Sequence, residues 1–88
     1  MSYKRLKVFC ETAKLLSFTK AAEVLHMTQP AVTFHIQQLE DELGARLFYR
    51  TSRKVSLTGA GRAVYEYSEF ILKQYNEMKN TILEMAND

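Results

Sequence analysis

The 88-residue chain has one cysteine, one proline, three glycines and no tryptophan. A lone Cys10 cannot close an intrachain disulfide, which fits a reducing, cytoplasmic compartment, and the thiol is expected in or beside the core. No apolar run approaches the roughly 20 residues of a membrane span, and the N-terminus lacks a signal peptide's hydrophobic segment. Cys10, His26 and His35 stand apart, without metal-ligand spacing or a carboxylate partner pattern. Gly59-Ala60-Gly61 has neither the spacing nor the lysine of a phosphate loop. A membrane protein is excluded, and an enzyme is left without a visible site; no metal and no cofactor is expected in this chain.

What is present is helical periodicity, centred on Ser17 to Gly44. Ala21, Ala22 and Leu25 mark one short helix, and Val32, Ile36, Leu39 and Leu43 mark a second with an inward apolar stripe. His26-Met27-Thr28 between them is about as long as a helix-turn-helix connection, though without the usual glycine. Thr28 suits an N-cap, Pro30 fits the first turn, and Gly44 ends the second helix. At about 100° per residue, Pro30, Thr33, Phe34, Gln37, Gln38 and Asp41 face outward, and Gln29 projects from the start. The exposed surface therefore changes sign along its length. Neutral hydrogen-bonding groups and a positive helix end come first, and Glu40, Asp41 and Glu42 follow. Such a helix can enter a nucleic-acid groove only N-terminus first, because lying flat would press carboxylates against phosphates.

Charge is divided in the same sense. Met1 to Arg62 hold ten Lys/Arg against five Asp/Glu, while Ala63 to Asp88 hold two against five. The basic part suits a polyanion, and the acidic tail does not.

Ahead of the helix pair, Tyr3 to Leu16 is expected as a helix with Leu6, Phe9, Ala13 and Leu16 inward. Ser17 and Thr19 are both plausible caps for the helix that follows, Phe18 plugs the core, and Thr19 and Lys20 stand where a helix N-terminus binds phosphate. After Gly44, residues Leu47 to Arg50 and Lys54 to Leu57 read as a small β-hairpin with Arg53 and Lys54 at its tip and Arg50 and Ser52 nearby. A basic hairpin behind a helix-turn-helix is a wing, which follows the DNA backbone or enters the minor groove. From Thr58 to about Asn87 the pattern is one long helix of roughly 45 Å, too long for so small a domain to cover. Gly61, Val64, Ser68, Ile71, Tyr75, Met78, Ile82 and Met85 form a seam at alternating steps of three and four, and a second copy is the simplest partner.

The expected fold is thus mainly α: a winged helix-turn-helix of three helices plus a small hairpin over residues 1–58, then a linker and dimerisation helix over 59–88. In this architecture the stretch LKVFCETAKLLSFTKAAEVLHMTQPAVTFHIQQLEDELGARLFYRTSRKVSLTGAGR resembles the N-terminal domain of LysR-type transcriptional regulators. The resemblance lies in Ser17-Phe18-Thr19, Ala21-Ala22, Leu25, Gln29-Pro30-Ala31, Leu39-Glu40, Leu43-Gly44, Leu47-Phe48, Arg50, Leu57-Thr58 and Ala60-Gly61, at unbroken spacing.

It implies sequence-specific binding of double-stranded DNA. Gln29, Pro30, Thr33, Phe34 and Gln37 become candidates for base contact, and Thr19, Lys20, Thr28, Arg50, Ser52, Arg53 and Lys54 for backbone or wing contact. Phe34 departs from the arginine common there and cannot donate to guanine; Gly59 departs from a frequent glutamate. The resemblance also implies a homodimer on an interrupted inverted repeat, with Val64, Ile71, Tyr75, Met78, Ile82 and Met85 as interface candidates. Such regulators usually form tetramers too, and bind a small-molecule effector through a C-terminal domain that these residues do not contain. The rival reading is a protein-interaction module that dimerises without touching DNA.

Overall fold

Every helix of the chain starts on a hydroxyl. In the computed structural model, which describes residues 1–87, α1 spans Tyr3–Leu15, α2 Phe18–Leu25, α3 Gln29–Leu43 and α4 Gly59–Ala86. Their N-caps are Ser2, Ser17, Thr28 and Thr58, and each side chain accepts the backbone N–H three residues on. Ser17, not Thr19, is therefore the cap of α2, and Thr19 is free in the first turn. Strands β1, Phe48–Arg50, and β2, Val55–Leu57, pair antiparallel with Phe48 opposite Leu57 and Arg50 opposite Val55. Each is one residue shorter than the sequence pattern suggests. Asp88, the last residue of the expected linker segment, lies outside the described residues.

The first three helices enclose one core, with Val8, Phe9 and Ala13 meeting Phe18, Ala21 and Ala22, then Val32, Ile36 and Leu39. Leu47 and Phe48 close it from the hairpin side. Two expected core residues are not in it. Leu16 is the C-cap of α1, in the left-handed region at φ 49° and 44% exposed, so Phe18 fills the space instead. Leu43 is 42% exposed, because the last turn of α3 overruns the three-helix core before Gly44, at φ 70°, redirects the chain.

The missing glycine of the helix-turn-helix is replaced by His26, which adopts φ 55° and donates its N–H back to Ala22 and Glu23. Left-handed backbone costs a non-glycine residue about 1–2 kcal/mol, so packing of α2 on α3 must hold the turn closed.

Helix α4 runs antiparallel along α1. Tyr3 stacks on Tyr75 with ring centroids 4.4 Å apart, and Cys10 meets Ser68 seven residues earlier along α4. Burial pushes the Cys10 thiol up to about 11, with Glu69 adding to the effect, which leaves it an inert packing group. The expected seam therefore divides. Gly61 and Ser68 are buried in their own domain and Val64 packs against its core. Tyr67, Ile71, Met78, Ile82 and Met85 are exposed, on a stripe centred roughly 85° from Gly61 and Ser68 at 100° per residue. Val64 is thus partly engaged by the domain's own core, while Tyr75 stacks on Tyr3 and still stays 40% exposed. The reason is that one end of α4 has a domain to lie on and the other end has none.

Candidate nucleic-acid interface

Three structural ends meet on one side of the molecule: the start of α2, the start of α3 and the hairpin. Thr19, Gln29, Arg50, Ser52, Arg53 and Lys54 line a single cleft between them. A second groove, between α3 and β1, is lined by Thr33, Gln37 and again Arg50. Lys20, Thr28, Pro30 and Phe34 are exposed but line neither of these two clefts. Residues scattered over 36 positions of sequence are in this way gathered onto one face.

The hairpin holds its shape without an Asn-Gly turn. Thr51 donates its N–H to the Lys54 carbonyl at 2.9 Å, and its Oγ1 accepts the N–H groups of Arg53 and Lys54 at 3.3 and 3.0 Å. One threonine side chain thus satisfies the tip backbone. The cationic side chains of Arg53 and Lys54 are left exposed, with no carboxylate paired to either among the described residues.

At the head of α3, Gln29 Nε2 donates to Thr33 Oγ1 at 3.0 Å, one turn along. This bond was not legible from the outward-facing pattern alone, although the four-residue spacing permits it. It fixes the carboxamide while leaving its oxygen and a second N–H free. Phe34 is 54% exposed and meets His35 edge-on. His35 Nδ1 accepts from Arg5 Nε at 3.4 Å, tying α3 to α1, and burial followed by the Arg5 and Lys4 charges lowers its pKa. The same causes favour the neutral imidazole, the form that can accept.

The acidic end of α3 has a different role from the one its charge suggests. Glu40 Oε2 accepts the Leu47 N–H at 2.8 Å, and Glu42 pairs with the N-terminal ammonium at 2.8 Å. Only Asp41 of the three acidic residues lacks a hydrogen bond or ion pair among the described residues, and it borders the second groove. The run is in part a clasp that joins α3 to the hairpin, a role invisible in a helical wheel because Leu47 lies beyond the helix.

A three-helix core, a tight helix pair and a basic hairpin beside the second helix's start define a winged helix-turn-helix domain. The Bacterial regulatory helix-turn-helix protein, lysR family, matches residues 3–62, and the chain belongs to that family as one of its DNA-binding domains. It is a family of transcriptional regulators, not of enzymes.

Over 82 residues the chain is 45% identical to the RuBisCO operon transcriptional regulator of Allochromatium vinosum, covering 93% of this chain and 27% of that protein. It is 44% identical over 75 residues to the HTH-type transcriptional regulator CitR of Bacillus subtilis, covering 85% and 26%. The chain spans about a quarter of the length of these relatives. Among solved structures, the BenM_DBD/catB site 1 DNA complex superposes with a TM-score of 0.96 at 35% identity, covering 100% of this chain and 98% of that one. The CbnR_DBD-DNA complex gives 0.93 at 34% identity, covering 98% and 99%. Among the described residues no helix is long and apolar enough to cross a membrane.

Proposed function

We propose that this domain reads double-stranded DNA by placing the N-terminal half of α3 in the major groove and the hairpin on the adjacent backbone or minor groove. The observation that carries this reading is the shared cleft in which Gln29 and the wing residues Arg50 to Lys54 stand together. Phosphate contacts fall to Thr19, Lys20, Thr28, Arg50, Ser52, Arg53 and Lys54, and base contacts to Gln29, Pro30, Thr33, Phe34 and Gln37. Gln29 can bridge an adenine edge with its free oxygen and free N–H while the bond to Thr33 holds it in place. Pro30, Phe34 and the Thr33 methyl offer apolar contact to thymine.

Two copies, joined through Tyr67, Ile71, Met78, Ile82 and Met85 of α4, then address an interrupted inverted repeat. In a longer regulator, assembly into tetramers and any response to a small molecule fall to segments beyond this domain.

A salt series tests the reading. Log affinity should fall steeply with log salt, and Arg53→Ala should weaken binding to all sequences alike and reduce the slope by about one. A flat response would favour a protein-interaction module, and a loss confined to one base position would move Arg53 into base readout.

A further inference from the structure

Arg50 is the one wing residue that lines both clefts, and its guanidinium lies over the Phe18 ring at 3.9 Å from the centroid. Phe18 is 5% exposed and is itself held edge-on by Phe48, at 5.4 Å, which is tilted against fully buried Phe9 at 5.4 Å. The aromatic series therefore runs from a fully buried core residue to a surface cation. Arg50 remains exposed, and among the described residues it makes no ion pair and no side-chain hydrogen bond. The ring lies against the guanidinium carbon, and the guanidinium N–H groups make no hydrogen bond among the described residues. A stacked guanidinium has already lost much of its rotamer freedom, so less is lost when it meets an oxyanion.

We propose that Phe18 is a positioning residue for Arg50: its ring holds the guanidinium in the plane where it grips a DNA phosphate, and so couples the wing to the helix-turn-helix. This rests on the DNA-binding reading above. The stack is electrostatic and dispersive rather than a salt bridge, so it fixes Arg50 without neutralising the charge that the phosphate needs. It links a core position at the start of α2 to a wing residue thirty-two positions further along the chain.

The test is a double-mutant cycle on binding of duplex DNA by the 88-residue chain, with thermal unfolding recorded for each variant. Phe18→Leu should weaken binding about two- to fivefold, as expected for loss of a cation–π contact, and leave the salt slope unchanged. Arg50→Gln should weaken binding more and lower the slope by about one phosphate. In the Arg50→Gln background, Phe18→Leu should add no further loss. Phe18→Tyr, which keeps the ring, should bind like the wild type, and Arg50→Lys, which keeps the charge but not the plane, should show the Phe18→Leu loss without lowering the slope. If Phe18→Leu does not fold, these last two variants decide the matter.

Full additivity in the cycle, or wild-type affinity in Arg50→Lys, would overturn the proposal. Wild-type binding that ignores salt would instead fail the DNA-binding reading itself, so the two failures are distinguishable.

Discussion

Gly61→Ala should destabilise the domain by about 2–3 kcal/mol, although alanine is the better helix former by up to about 1 kcal/mol. A Cβ at residue 61 would collide with the Leu47 carbonyl oxygen. That oxygen cannot retreat, because it accepts the Thr58 N–H at 3.0 Å at the root of α4. Thr58 is in turn fixed by donating its hydroxyl to the Arg46 carbonyl at 2.6 Å and accepting the Gly61 N–H at 2.8 Å. The added methyl must therefore lift α4 off the hairpin or break this junction. For a domain this small, each 1 kcal/mol lowers the melting temperature by roughly 4–8 °C.

Gly59→Ala is the matched control. Nothing lies within 4 Å of a Cβ there, so the same chemical change should stabilise the chain slightly. Equal effects at the two positions would show that helix propensity, not the contact with Leu47, governs both.

Ile71→Asp should convert a dimer to a monomer and cut affinity for a paired site by about a hundredfold or more, while leaving a single half-site nearly unaffected. Ile71 is 44% exposed, and it lies on the stripe with Tyr67, Met78, Ile82 and Met85 that the other described residues leave exposed. A carboxylate buried between two copies is costly, whereas the same carboxylate in a free monomer is merely solvated. Thermal stability of the isolated domain should consequently change little. Unchanged sedimentation of Ile71→Asp would move the contact between copies elsewhere, and a large loss of half-site binding would show that the stripe serves the domain itself.

The fold was legible because its signals are local. Hydroxyl caps, the stripe through Val32, Ile36 and Leu39, and the glycine after Leu43 each act within a few residues. Errors came where a distant partner decides. Leu16 and Leu43 continue an apolar period but fall past the edge of the core, which periodicity cannot locate. The α4 seam looked single because a linear pattern does not say which part of a helix lies on α1. The stack of Tyr3 on Tyr75, the meeting of Cys10 with Ser68 and the close approach of Gly61 to Leu47 show where the domain's own face runs.

At the candidate interface the residue types and charges were readable, since Gln29, Thr33 and Arg53 project by helical geometry or from a turn. Glu40 was not, because its partner is a backbone N–H seven residues away in another element. Nor was the stack of Arg50 on Phe18, which depends on how the hairpin folds back over α2.

The central claim is that the neutral first half of α3 distinguishes bases. Affinity of Gln29→Ala and Thr33→Ala for an operator selected from random DNA, set against affinity for unrelated duplex at the same salt, tests it most directly. Each substitution should cost about 1–3 kcal/mol on the operator and far less on the unrelated duplex. The double variant should lose less than the two together, because Gln29 and Thr33 are bonded to each other. Equal losses on both DNAs would contradict the claim.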